Sequence, residues 1–405
     1  MKLGLENITR LLTALGDQQK IYFKVQVAGT NGKGSVCAFL GSICNSAGLQ
    51  TGVFTSPHLV SITERIRING VDISEEHFAG IATKVRETAE DLVAKAELKY
   101  TPTFFEQVTA IALVAFADIC ADVAILETGL GGRLDATTSA NAEIAAITQI
   151  DYDHQEYLGE TLAEIAAEKA AIIQAGSLVV IAEQKPVAAE VIKNRCAEFG
   201  IDAQSASAVG SKSESGRLSF STVKATYRVA SLGLLGKHQV ENAKVAILVA
   251  ELLQDRFPIT TQNIIDGLEN ARHAGRLEFE GKYLFDGAHN PAGAKALAQF
   301  LDESVDSPVT VVFGVMESKD VASMAMALFP KAKNVILTHP DNSRAMLPKN
   351  IAAMLPNGLD KDHLEITATV EEALQRARDL AGSDGVILIT GSLYLVGEAK
   401  KILNN

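Results

Sequence analysis

Residues 21–28 (IYFKVQVA) read as a strand that runs straight into Gly29-Thr30-Asn31-Gly32-Lys33-Gly34-Ser35, and a helical pattern begins at about Lys33. This junction limits the fold more than any other stretch. A strand that turns at once into a helix is continued by a second, parallel strand, with the helix covering one face of the sheet. The turn also carries chemistry. Three glycines let the backbone curl until several N–H groups point at one anion, and the helix start adds the positive end of its dipole. Lys33 is placed to bridge outer phosphates, and Ser35 to reach a phosphate or its metal. The pattern is not a strict G-x4-G-K-[ST], which would need Gly at Val27 and Ser or Thr at Gly34.

The alternation continues along the chain. Strands are predicted at 51–54, 122–127, 144–150 and 177–182, with helices at about 75–98, 104–118, 161–174 and 186–198. A Ser/Gly-rich patch, 205–216, precedes an alternating stretch, 218–229, that reads as an antiparallel hairpin at the edge of the sheet. Helices follow near 238–254 and 260–270. A second α/β unit starts near Gly275, with a strand ending at Asp286, the loop GAHNPAG, a helix from about Ala292, and strands at 308–314, 334–338 and 385–390. The expected fold is an N-terminal, P-loop-type, mainly parallel sheet domain (1–272) with an edge hairpin, followed by a smaller Rossmann-like α/β domain (273–405). A cleft between two such domains is a common place for an active site.

Composition narrows the function. The 405 residues are 47% hydrophobic and 21% charged, as in an ordinary globular chain of two or three domains. A formal charge of −12 disfavours nonspecific nucleic-acid binding and docking on anionic membranes, so an anionic substrate must be held by a local site. Cys37, Cys44, Cys120 and Cys196 have no metal-ligand spacing and read as small hydrophobes in a reducing compartment. Leu5, Ile8, Leu12 and Leu15 recur at helical spacing near the start, interrupted by polar residues, unlike a signal peptide. The apolar run 108–117 is too short to span a bilayer and ends at Asp118. A cytoplasmic location is the expectation.

The loop G-T-N-G-K-G-S resembles the nucleotide loop of the Mur ligase superfamily, specifically its folylpolyglutamate synthase/dihydrofolate synthase branch. The resemblance extends over almost the whole chain. It takes in Thr55-Ser56-Pro57-His58-Leu59 with Glu64-Arg65-Ile66, Phe105-Glu106, and the run from Glu127-Thr128-Gly129 to Ala136-Thr137. It continues through Asp153-His154 with Leu158-Gly159, Glu168-Lys169, Gly236-Lys237-His238-Gln239 with Asn242, and Gly275-Arg276. Asp286-Gly287-Ala288-His289-Asn290-Pro291 and Gly391-Ser392-Leu393-Tyr394 complete it.

The resemblance implies an ATP-dependent ligase that adds L-glutamate to a folate or dihydropteroate carboxylate, acting as a monomer with Mg2+, two ions in all. It places Gly29, Thr30, Asn31, Gly32, Lys33, Gly34 and Ser35 on the phosphates and Asn242 on adenine; helix capping is the other reading of Asn242 and of Gln239. Arg276 would meet phosphate charge, and Asp286 would accept from ribose hydroxyls. Ser56, Glu127 and His154 would hold the metal shared with the terminal phosphate; standing alone, His154 would read as a hydrogen-bonded loop histidine. Asp153 would orient His154 or serve the second metal. His289 and Asn290 support the nucleotide site, face glutamate, or are purely structural. Lys169 corresponds to a lysine that is carbamylated in relatives and then binds the second metal; otherwise it is a surface lysine in helical ion pairs. Three departures from the family pattern are Ala171 in place of glycine, Ser318 in place of aspartate, and Gln18-Gln19 where many members have a proline.

The implied chemistry suits the residues. Attack of a carboxylate on the terminal phosphate of ATP gives an acyl phosphate, which an amine displaces, so positioning and charge stabilisation dominate. Lys33, Lys169 and His154 are the expected catalytic groups. Phe104 and Phe105 are either ring contacts for a pterin or core. Two other readings stand beside this one. The first is another Mur-type amino-acid ligase, which usually carries an extra N-terminal domain before the loop. The second is a P-loop ATPase or kinase without ligation.

Overall fold

The apolar runs that read as strands are the centre of two sheets in the computed structural model, which describes residues 4–214, 216–317, 319–357, 359 and 362–404; Ser318 lies outside them. Contacts divide the chain into two compact units. The larger comprises Met1–Pro57, Ile62–Gly233 and Gln239–Arg272, and the smaller His58–Ser61, Leu234–His238 and His273–Asn405. A single division at 272/273 therefore omits two short segments that pack with the smaller unit.

In the larger unit the strands are β1 (Phe23–Ala28), β2 (Thr51–Phe54), β3 (Ile66–Ile68), β4 (Val71–Asp72), β5 (Val123–Glu127), β6 (Ile144–Ile147), β7 (Leu178–Ile181) and β8 (Gln204–Ser205). They form one sheet in the order β4-β3-β2-β5-β1-β6-β7-β8. Strand β1 lies between β5 and β6, parallel to both. It is buried from Lys24 to Ala28 because helices cover both faces, and its two polar side chains, Lys24 and Gln26, are hydrogen-bonded. The chain leaves β1 toward one side of the sheet and later returns to the other. The ends of β1, β5 and β6 thus meet at the switch point, where open α/β sheets bind ligands. Helix Phe104–Asp118, with Ile8, Leu11 and Leu12 of helix Glu6–Ala14, and helices Leu162–Ala170 and Pro186–Glu198 cover one face in two apolar clusters, and helix Lys33–Ser46 lies against β2 and β5 on the other.

The edge hairpin is not where the alternating stretch pointed. β9 (Gly210–Glu214), β10 (Arg217–Ser221) and β11 (Thr226–Val229) form a separate three-stranded antiparallel sheet. Strand β9 falls inside the Ser/Gly-rich patch. Its side chains are all exposed, so no apolar pattern marks it and pairing with β10 creates it. The sheet is tied to helix His238–Leu253 by Glu251, whose carboxylate accepts from Tyr227 Oη (2.7 Å) and Thr222 Oγ1 (2.5 Å). The hairpin at the edge of the large sheet is β3–β4, turned by Asn69 and Gly70 with φ of 51° and 83°.

The smaller unit has β12 (Glu278–Glu280), β13 (Tyr283–Asp286), β14 (Val309–Phe313), β15 (Asn334–Leu337), β16 (Leu364–Ile366) and β17 (Val386–Thr390). Their order is β12-β13-β17-β14-β15-β16, parallel except for β12, with an apolar cluster on each face. Among the described residues no helix is long and apolar enough to cross a membrane.

Candidate active site

The glycine-rich turn between β1 and helix Lys33–Ser46 is lashed to the segment after β6. Thr30 and Asn31 N–H donate to Gln149 O at 3.0 and 3.2 Å. Thr30 Oγ1 donates to Asp151 O (2.9 Å) and accepts from Asp151 N–H (3.0 Å). Gly29 and Gly32 have φ of 152° and 89°, and a Cβ on Gly32 would stand 2.2 Å from Asn242 Oδ1. Only glycine fits there. Lys33 Nζ folds back on the loop, donating to Gly29 O (3.1 Å) and Thr30 O (3.2 Å). Ser35 Oγ accepts from Gln239 Nε2 (3.2 Å), and Gln239 Oε1 accepts from Asn242 Nδ2 (2.9 Å). Asn242 and Gln239 are thus joined to the phosphate loop side chain by side chain.

Lys169 is not a surface lysine. It is 5% exposed, and its Nζ donates to Gly29 O at 2.9 Å, the carbonyl that Lys33 also uses. Its helix, Leu162–Ala170, is set by a capping box between Thr161 and Glu164. Burial, joined by the charge of Lys33, brings the Lys169 amine down to about 7, against the opposing pull of Asp153 and Asp135. A large share of the amine is therefore neutral near neutral pH.

Glu127 ends β5, is 6% exposed, and accepts from Ser56 N–H at 3.1 Å, which brings these two residues together. His154 has φ 52° and opens the short helix Gln155–Leu158. Its backbone N–H donates to Asp153 Oδ1 (2.9 Å), and its Nε2 stands 3.9 Å from Asp153 Oδ2. Among the described residues no three His, Cys, Asp or Glu side chains gather as a metal cage. A hard divalent cation takes one or two carboxylates and completes its shell with water and phosphate oxygens. Glu127, a buried carboxylate that meets the Ser56 backbone from 71 residues away in sequence, is donor chemistry of that kind. Lys169 as an amine is not. The thiols are spectators: burial pushes the Cys37 thiol up, with the charge of Glu127 adding, and Cys44 is pushed up to about 12.

Several supporting residues escaped the sequence reading. Buried Asp135 accepts from Leu130 N–H (2.8 Å), Thr137 N–H (3.0 Å) and Thr137 Oγ1 (2.5 Å). Gln26 Nε2 donates to Thr137 Oγ1 (2.9 Å) and Thr138 Oγ1 (2.8 Å). Arg133 spends its Nε on Glu168 Oε1 (2.8 Å), tying this loop to the helix of Lys169. The run L-D-A-T-T was a visible signal for Asp135; nothing in the sequence marks Gln26.

In the smaller unit, Asp286 is 8% exposed and accepts from Leu277 N–H (3.0 Å) and Ala288 N–H (2.9 Å). Burial raises its pKa, while Arg276 and those two donors pull it down. Asn290 Oδ1 accepts from Gly293 N–H (2.8 Å) and caps helix Pro291–Ser304. His289 Nδ1 donates to Gly287 O (2.9 Å). His238, singled out in the sequence only as part of a motif, faces Asp286 and Arg276. Desolvation lowers its pKa, with Asp286 opposing and Arg276 adding.

Residues 27–250 match the Mur ligase middle domain, and residues 275–393 the Mur ligase glutamate ligase domain. The chain is 34% identical over 417 residues to the dihydrofolate synthase/folylpolyglutamate synthase of Bacillus subtilis, covering 100% of this chain and 95% of that protein. The chain belongs to the folylpolyglutamate synthase/dihydrofolate synthase family. A second family relative, the probable bifunctional folylpolyglutamate synthase/dihydropteroate synthase of Haloferax volcanii, is 35% identical over 415 residues, 99% of this chain but 48% of that longer protein. Folylpolyglutamate synthase of Mycobacterium tuberculosis, solved with ADP and AMPPCP, superposes with a TM-score of 0.92 at 32% identity, over 99% of this chain and 96% of that one. The bifunctional enzyme of Yersinia pestis, solved with AMPPNP and Mn, gives 0.86 at 29% identity, over 100% and 94%.

Proposed function

We propose that this chain is an ATP-dependent ligase joining the amino group of L-glutamate to the carboxylate of a folate-type substrate. The substrate carboxylate takes the terminal phosphoryl group of ATP and ADP departs. The glutamate amine then attacks the acyl carbon, phosphate leaves, and the amine loses a proton. The observation that carries this reading is the convergence of two lysines on Gly29 O at a helix start, within a chain that matches the Mur ligase middle and glutamate ligase domains in order.

The roles follow from placement. Gly29, Thr30, Asn31, Gly32, Lys33, Gly34 and Ser35 cradle phosphate, with Lys33 swinging from the loop carbonyls to the phosphate oxygens. Asn242, linked through Gln239 to Ser35, meets adenine, and Arg276 meets phosphate charge. Glu127, Ser56 and His154 would hold a divalent cation; the oxygen donors of Glu127 and Ser56 suit Mg2+, and the His154 nitrogen is taken from the family resemblance. That cation, when bound, neutralises phosphate charge and fixes its geometry. Lys169 accepts CO2 on its neutral amine, and the resulting carbamate would serve a second cation; its low pKa and its place beside the loop support this.

The test is phosphate release measured with glutamate and a pteroate-type acceptor supplied singly and together. Ligation requires both; release that ignores them would leave a P-loop ATPase. Dihydropteroate and a reduced folate compared as acceptors separate dihydrofolate synthase from folylpolyglutamate synthase activity.

A further inference from the structure

The backbone ladder between β6 and β7 runs out at Ala182 N–H, which donates to Ile147 O at 2.8 Å. Residues 148–151 continue past it beside the phosphate loop. Thr148 and Ile150 are both fully buried, so bulk water cannot serve their backbone groups. The side chain of Gln184 serves them instead. Its Oε1 accepts from Ile150 N–H (3.0 Å) and its Nε2 donates to Thr148 O (2.9 Å). One primary amide thus stands in for a further peptide group of β7.

The same four residues carry the phosphate loop. Thr148 N–H donates to Ala28 O (2.8 Å), Gln149 O accepts from Thr30 and Asn31 N–H, and Asp151 exchanges two bonds with Thr30 Oγ1. The contact is also steric, because a Cβ on Gly29 would stand 1.8 Å from Thr148 Oγ1. Gly29, whose carbonyl receives both Lys33 and Lys169, therefore rests directly on Thr148. Lys185 adds a bond from Nζ to Asp151 Oδ1 at 2.6 Å, but its side chain is 47% exposed and water screens it, so the amide does most of the bracing.

We propose that Gln184 is a positioning residue for the phosphate loop: through residues 148–151 it sets where the loop N–H groups and the Gly29 carbonyl stand. This rests on the reading of Gly29–Ser35 as the phosphate cradle. A glutamine that merely held β7 to β6 would contribute to global stability and leave the loop alone.

The experiment uses the full chain and measures the Kd for ADP with Mg2+ by calorimetry, KM for glutamate, and hydrogen–deuterium exchange of the peptide spanning residues 29–35. Gln184→Met keeps the length of the side chain and removes both bonds. It should weaken ADP ~10-fold and speed exchange of that peptide ~10-fold, while exchange in β5 stays that of the wild type. KM for glutamate should change by less than about twofold. Gln184→Glu keeps the acceptor for Ile150 N–H but sets a second oxygen against Thr148 O, and should show the same changes. ADP affinity within about twofold of wild type in both variants, or loop exchange that rises only in step with β5, would overturn the proposal. Lys33→Ala separates the two levels. Unchanged ADP affinity there removes the cradle reading, whereas weakened affinity with both Gln184 variants binding normally removes the positioning role alone.

Discussion

Lys169→Met removes a buried amine and keeps most of its volume. The wild-type amine falls from 10.5 to about 7 on folding. Between those values the unfolded chain holds a proton that the folded chain does not, so wild-type stability rises with pH across that window. Below about 7 both states are protonated, and the burial penalty is present in full. The whole interval corresponds to roughly 5 kcal/mol, at about 1.4 kcal/mol per pH unit. Against this, losing the bond to Gly29 O costs about 1 kcal/mol. The variant should therefore exceed the wild type by up to about 4 kcal/mol near pH ~6, shrinking to less than about 1 kcal/mol near pH ~9.5. Urea unfolding followed by far-UV circular dichroism in CO2-free buffer, which keeps the amine unmodified, measures both points. The same variant should lose ligation. A stability difference that is equal at both pH values would refute the assignment of a buried, largely neutral amine.

Lys33→Ala should lower ligation by ~100-fold or more, because a phosphate charge loses its partner. Its unfolding midpoint should hardly move, since the Lys33 amine bonds loop carbonyls instead of filling a core; a near-normal rate would remove the loop from the site. Glu127→Gln should raise the metal concentration needed for half-maximal activity ~10-fold or more by removing a charged oxygen donor. Titration of Mn2+ binding in the presence of a non-hydrolysable ATP analogue checks this without turnover, and unchanged affinity would place the cation elsewhere.

What could be read from the chain was local in origin. The strand–loop–helix unit at Val27–Ser35 depends on neighbours in sequence, and its strand, turn and helix lie where the pattern put them. Residues 218–229 alternated correctly for strands, yet alternation does not say which sheet a strand joins. Asn69-Gly70 is a strong two-residue hairpin signal that the reading passed over between two very short strands. The burial of Lys169 could not be read, because the carbonyl that captures it lies 140 residues earlier.

The polypeptide changes unit five times, at 57/58, 61/62, 233/234, 238/239 and 272/273. Leu59, far from residue 273 in sequence, packs into the apolar layer that includes Leu395, Val396 and Ala399. A ribosome therefore releases two strips of the smaller unit long before the sheet that receives them exists. Those strips must wait, uncovered, for the last third of the chain, and Leu59 gains its neighbours only when residues near 396 emerge. Folding during synthesis thus cannot finish unit by unit. A fragment beginning at residue 273 would lack the same strips and leave an apolar face open to aggregation.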